Sequence, residues 1–450
     1  MTEPSSSSPN PIAPEVQPSA ALRRKLARHR MLIKLGGIAT LALILLIPLA
    51  LLMPIVDERS ALRDGAVAEI QRDWGREQQV IGPILVIPTS QGPTYAFPDE
   101  LRIKTNLTPE ERHRGIYAAI VYAAQLDIEG SFHRPTAADL GVAPEQIFWN
   151  QAFIAIAITD LRGTGTQVVL RWGTTDTPML PGSDLQRFPS GVHVPVAVPE
   201  QPMSFALSIP MHGSHGITFA PLGIKNDIKV HSSWQNPSFT GAYLPATRTV
   251  TDEGFSATWS VSYYGRDFGQ YAKADLPYAI DQMNLGVNLL PGIDSYRSVD
   301  RAVRYGVLFI VLAFMSFFLF EVVARTRIHP FQYAMVGLAL GVFFLILLAL
   351  SELVPFLAAY STAAAGTIGL VASYMVPVLK TGRRTLVAAA MLAASFAVLY
   401  IVLQADDYAL LAGSLVVFVA LAVTMRLTRS LDWYAEDEAS SESTKPVVET

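Results

Sequence analysis

The chain has 450 residues, 51% of them apolar and 16% charged, with a formal net charge of −4 and a mean hydropathy of +0.33. Soluble domains carry about 25% charged residues; here the deficit falls near residue 45 and after residue 302, as expected for membrane spans joined to a water-exposed domain. The absence of cysteine excludes disulfides, cysteine-ligated zinc, iron–sulfur clusters and thiol catalysis. The acidic balance, with no basic patch interleaved with aromatics, argues against a nucleic-acid partner.

Residues 1–30 are Ser/Pro-rich and then basic, with Ser5 to Ser8 in a row and a cluster of Arg23, Arg24, Lys25, Arg28, Arg30 and Lys34 running into the next segment. Such a stretch cannot bury apolar surface and predicts a disordered cytoplasmic tail. The apolar run from Leu35 to Val56, interrupted by Pro48 and Pro54, is long enough to cross about 30 Å of hydrocarbon. It exceeds the roughly 7–15 residues of a signal-peptide core and no A-x-A site follows, so residues 34–56 read as an uncleaved signal anchor.

Residues 57–302 predict a β-rich domain outside the cytoplasm. It opens with an amphipathic helix, in which Leu62, Ala66, Ile70 and Trp74 recur every four residues. Short apolar runs bounded by Gly, Pro, Asn and Asp then predict strands over 80–88, 116–132, 152–160, 166–172, 203–210, 226–234 and 255–264. Their number and length suggest a sandwich of two packed sheets, with strand order open.

From Val303 the apolar runs return, and five spans are expected at about 303–323, 331–350, 355–378, 386–403 and 408–425, followed by a cytoplasmic tail over 426–450. Arg325, Arg327 and His329, then Lys380, Arg383 and Arg384, then Arg426 and Arg429 fall on the side of the N-terminal basic cluster. The opposite loops hold Glu352, Asp406 and Asp407. This positive-inside pattern predicts a six-span protein with both termini in the cytoplasm. Gly337 and Gly341, Gly366 and Gly369, and the alanines from Ala388 to Ala394 predict close helix packing in a bundle. Glu321 and Glu352 are expected to snorkel at span ends, and with no charge at a span centre an ion-coupled transporter is disfavoured.

Candidate chemistry is sparse. His212 and His215 form H-x-x-H with His231 further on, but glycines flank the pair and a turn explains it better than a metal site. Gly163-Thr164-Gly165 lacks the rest of a phosphate loop and reads as a hairpin turn, flanked by a surface pair of Asp160 and Arg162. No G-x-S-x-G elbow exists. Glu110, Glu111, Asp127 and Glu129 could serve a periplasmic enzyme of envelope polymers, but a solvated charged face is the simpler reading. No catalytic, cofactor or metal residue is therefore assigned. The segment Trp234, Pro237, Ser238, Phe239, Gly241, Leu244 and Pro245 is a candidate interaction loop, against the plainer reading of a rigid bend whose aromatics plug the core.

Several segments together carry a resemblance. VIGPILVIP (80–88), ERHRGIY (111–117), DLRGTG (160–165), GVHVPV (191–196), SSWQNPSFTGAYLPA (232–246), DRAVRYGVLFIVLAFMSFFLFE (300–321), HPFQY (329–333), LLALSE (347–352) and LDWYA (431–435), in this order, resemble the CreD family of bacterial inner-membrane, cell-envelope integrity proteins. The likeness runs from about residue 31 to 435. It implies one anchor, a periplasmic domain, a C-terminal membrane region, and expression tied to a two-component system; it supplies no catalytic residues. The expected function is non-enzymatic support of envelope integrity or the envelope stress response through a periplasmic domain that binds an envelope partner. The alternative is transporter or flippase-like activity of the five-helix region. Beyond the lipid bilayer, partner and oligomeric state are open.

Overall fold

A computed structural model describes residues 30–162, 167–291, 295–324, 326, 328–405 and 408–429. The Ser/Pro-rich tail, Arg23 to Arg28, Gly163 to Gly165, Arg325, Arg327, Asp406, Asp407 and the acidic run Glu436 to Glu438 lie outside them. The chain divides into two compact units, one of Arg59–Asp294 and one of the residues up to Glu58 together with those from Ser295 onward.

The β-rich unit begins with the last turns of helix α1 (Arg30–Trp74). The anchor and the amphipathic stretch form one continuous helix, with Pro48 and Pro54 inside it. Only the end of the expected stripe is used: Ile70 is buried with Ala119 and Val121 and flanked by Val67 and Trp74, whereas Leu62 is exposed.

The strands follow in chain order. The first group is β1 (Gln78–Thr89), β2 (Gly92–Ala96), β3 (Glu100–Arg114), β4 (Tyr117–Phe132), β5 (Phe153–Ile158) and β6 (Val169–Trp172). Next come β7 (Thr175–Pro178), β8 (Leu180–Pro181), β9 (Gly191–Pro195), β10 (Met203–Ser214), β11 (Gly216–Phe219) and β12 (Lys225–Ser232). Last are β13 (Pro237–Gly241), β14 (Thr247–Thr251), β15 (Gly254–Ser262), β16 (Tyr271–Lys273) and β17 (Leu285–Leu289). They form a nine-stranded sheet, β13-β17-β11-β1-β5-β9-β8 with β2 and β16 branching from β1, and an eight-stranded sheet, β14-β15-β12-β3-β4-β10-β6-β7. The expected sandwich is present: Ile84, Leu85 and Ile154 of the first sheet share one core with Ile103, Leu126 and Ile128 of the second.

The two sheets are patterned differently. In the eight-stranded sheet β3 and β4 alternate buried and exposed residues, so Leu101, Ile103 and Leu107 turn inward while Arg102, Lys104 and Asn106 meet solvent. In the nine-stranded sheet β1, β5 and β11 are buried on both faces, because connecting segments bring Leu140, Leu185, Leu276 and Ile280 into the same core. A strand covered on both sides must be continuously apolar, as VIGPILVIP is.

The helical unit contains the first part of α1 and five further helices: α2 (Ser295–Val323), α3 (Pro330–Ser351), α4 (Phe356–Leu379), α5 (Gly382–Gln404) and α6 (Ala409–Thr428). With α1 these are, among the described residues, six helices long and apolar enough to cross a membrane. Leu45, Leu49, Leu52 and Val56 give α1 a buried stripe in this unit's core. At the centre Phe343 packs among Phe309, Phe344, Tyr360 and Phe396, with ring centroids 4.7–6.2 Å apart. The Tyr360 hydroxyl donates to the Phe396 carbonyl at 2.7 Å, so no polar atom of that ring is left bare. Of the glycines expected at interfaces, Gly337 packs against Leu45 and Phe314, but Gly341, Gly366 and Gly369 have nothing near them. Large aromatics, more than glycine stripes, hold these helices together.

Candidate functional site

The candidate loop bridges two sheet edges. Trp234 is half-buried, its indole N–H donating to the Leu290 carbonyl at 2.8 Å. Pro237, Ser238, Phe239 and Gly241 form β13, paired antiparallel with β17. Phe239 makes edge contacts with Phe255 and Trp259, both at 5.9 Å between centroids, and so reaches the core. Gly241 has φ +97°, and a Cβ there would strike the backbone of Asn284, so the turn needs glycine. Leu244, further along, is 76% exposed.

The segment thus divides its residues. Phe239 and Trp234 are tied to the core and to backbone, while Pro237, Leu244 and one side of Phe239 line an open groove of about 670 Å³. The far wall is β14, whose Arg248 and Val250 stand opposite the buried Ala257 and Phe255. The Arg248 guanidinium lies 5.8 Å from the Phe239 ring centre, a cation–π distance.

Of the carboxylates considered for catalysis, Asp127 and Glu129 lie on the outward face of the eight-stranded sheet opposite bases, whereas Glu110 and Glu111 stand opposite Val121 and Ile120. In the β3–β4 register Arg102 faces Glu129 and Lys104 faces Asp127. Glu110 pairs with Arg112 at 3.0 Å and Glu129 with Lys104 at 3.8 Å. The Ser208 hydroxyl donates to Asp127, and Gln125 donates to Ser208 at 2.5 Å. Opposed charges on an exposed sheet neutralise one another.

The histidines are dispersed. His212 lies in β10 and stacks on Trp74 at 4.5 Å, with the Arg112 guanidinium 4.1 Å from the same ring. His215 turns the chain from β10 to β11 at φ +63°, and His231 points outward from β12. Among the described residues no group of three His, Asp or Glu could hold a metal ion.

Two expectations are corrected by burial. Asp160 and Arg162 are only half a surface pair: Arg162 is exposed, but Asp160 is buried, gripped by two Arg162 nitrogens at 2.6–3.1 Å, and its backbone N–H donates to the Gln78 side chain. The Arg162 hydrogen bonds outweigh burial and hold the Asp160 carboxyl below its ordinary range. Glu321 does not snorkel. It is buried between helices, accepting from the Tyr333 hydroxyl at 2.8 Å and from the Ile328 backbone N–H at 3.0 Å.

One cluster escaped the sequence reading. His133 bridges Asp99 (Nδ1 to Oδ1, 2.5 Å) and the Tyr271 hydroxyl (Nε2, 2.6 Å). Burial first, then the negative charges of Asp139 and Asp99, push Tyr271 up to about 12, so it stays a neutral phenol. The chain of three joins the approach to β3, the end of β4 and the three-residue β16. The residues lie 34 and 138 positions apart, so no local spacing could announce them.

A two-sheet domain on a chain with six apolar helices defines a multi-pass membrane protein with a substantial water-exposed part. The comparisons make this specific. The family profile described as "Inner membrane protein CreD" matches residues 30–434. The Inner membrane protein CreD of Escherichia coli (strain K12) is 31% identical over 437 residues, covering 92% of this chain and 96% of that protein. The chain belongs to the CreD family of inner-membrane proteins. Among solved structures, an M1 zinc metallopeptidase from Deinococcus radiodurans matches 46% of this chain and 52% of its own at 9% identity and a TM-score of 0.21, too low to bear on fold or activity.

Proposed function

We propose that this is a non-enzymatic inner-membrane protein that supports envelope integrity or the response to envelope stress. Its β-rich domain faces the periplasm and binds a protein partner there, while the helical region anchors it. The observation that carries this reading is the groove between β13 and β14, an open slot lined by Leu244, Val250, Phe239 and Leu290. Exposed apolar surface of this kind marks an interaction site more often than a reaction site. The basic side of the loops, with Lys380, Arg383, Arg384, Arg426 and Arg429 against Glu352, argues for both termini in the cytoplasm.

The test has two arms. Reporters fused after Ser60, Ile280, Ile328, Gly382, Asp406 and Ala435 should read outside, outside, inside, inside, outside and inside. An inside reading at Ile280 would reverse the domain and end the periplasmic proposal. A deletion strain should be sensitive to detergent and envelope stress; wild-type behaviour under every stress would count against the envelope role.

A further inference from the structure

Among the described residues five strands stand at the ends of the two sheets' strand orders, and four are blocked against further pairing. β7 ends in Pro178, β8 in Pro181 and β13 begins at Pro237. β16 has only three residues and ends in Lys273. Proline, lysine and brevity are the devices by which native sheets protect an edge. β14 has no proline, lysine or such brevity: Thr-Arg-Thr-Val-Thr over Thr247–Thr251 is exposed throughout and pairs only with β15. Threonine and valine favour strands.

The inner face of this strand is uncovered as well. Val250 and Leu290 are 48% and 42% exposed where they line the groove. Arg248 is the charge on that groove, and among the described residues it forms no ion pair with a carboxylate.

We propose that β14 is a receptor edge. An extended segment of an envelope protein adds antiparallel to Thr247–Thr251, with polar residues outward, an apolar side chain opposite Val250 and a carboxylate opposite Arg248. Main-chain hydrogen bonds supply affinity, and the groove with Arg248 supplies selection. A second copy of the chain fits less well. Antiparallel self-pairing about Thr249 sets Arg248 opposite Val250 and leaves both guanidiniums without a counter-charge. The inference rests on the reading of the domain as an interaction module.

The test uses the full chain in detergent micelles and a fluorescent nine-residue peptide, Gly-Ser-Thr-Val-Thr-Glu-Thr-Ser-Gly, capped at both ends. Saturable binding is expected, weakened about five-fold when lysine replaces glutamate in the peptide. Arg248→Glu should invert that preference, and Arg248→Gln should abolish it, with unchanged melting showing that both variants fold. Methylating alternate peptide amides should abolish binding for one parity only, because a strand bonds its neighbour through alternate residues. Equal binding of both charge forms, equal effects of both parities, no saturable binding, or a concentration-dependent dimer lost in Arg248→Glu would each overturn the proposal. The wider reading fails separately: it falls if deleting the gene leaves envelope stress sensitivity unchanged.

Discussion

The two units bury aromatic side chains equally well, but against different solvents. Trp259 in the β-rich unit and Phe343 in the helical unit are each about 1% exposed or less. Unfolding the sandwich returns Trp259 to water, so its burial is driven by the hydrophobic effect. Separating the helices returns Phe343 to lipid tails as apolar as its partners, so packing alone is lost. Equal burial therefore does not mean equal stabilisation.

That contrast can be broken by matched truncations. Trp259→Ala should cost about 4 kcal/mol, because it removes a large ring at the core and the indole bond to the Tyr243 carbonyl at 3.0 Å. Urea unfolding of the β-rich unit, followed by circular dichroism, measures it. In the helical unit the most damaging single change is expected at Glu321 and not at an aromatic. Glu321→Ala leaves the Tyr333 hydroxyl and the Ile328 N–H without their acceptor, at a cost of about 2–3 kcal/mol. Glu321→Gln, which keeps an acceptor, should recover part of it. Phe343→Ala should cost less, about 1–2 kcal/mol, as a loss of dispersion contacts without a water-transfer term. All three are read from unfolding in micelles titrated with dodecyl sulfate. A larger loss for Phe343→Ala than for Trp259→Ala would refute the comparison.

The units also differ in how much of them was legible in the chain. The spans were readable because a helix in lipid must be apolar along some 20 residues whatever its neighbours. In the sandwich, β1 and β5 announced themselves as continuous apolar runs and β12 and β15 by alternation. β3 did not: Leu101, Ile103 and Leu107 alternate, but buried Thr105 breaks the series and Thr108 to Arg114 is nearly all polar. β14 has no buried residue at all, so no burial pattern could mark it. The candidate loop was legible as a dense set of Trp, Pro, Phe and Gly. What it faces was not, because Arg248 and Leu290 meet it only through strand pairing. Asp99, His133 and Tyr271 were invisible for the same reason. Glu321 was placed near a span end from its sequence position alone, whereas its burial depends on where Tyr333 of the next helix falls.

The smallest effect separates a buried charge from the surface charges around it. Asp160 is buried and bound twice by Arg162, whereas pairs such as Lys104–Glu129 stand in solvent. Exposed pairs contribute a few tenths of a kcal/mol, so removing Lys104 should be nearly silent. Asp160→Asn should cost about 1 kcal/mol at neutral pH. Because the folded-state carboxyl lies below its ordinary range, its contribution is complete above the unfolded value of about 3.9. It is lost as the pH falls through the lower folded value. The stability gap between wild type and Asp160→Asn should therefore be constant from pH 7 to about 5 and shrink on further acidification. A gap that widens in acid would mean that burial, not Arg162, governs this carboxyl, and that the β-rich unit holds the buried Asp160 against its electrostatics.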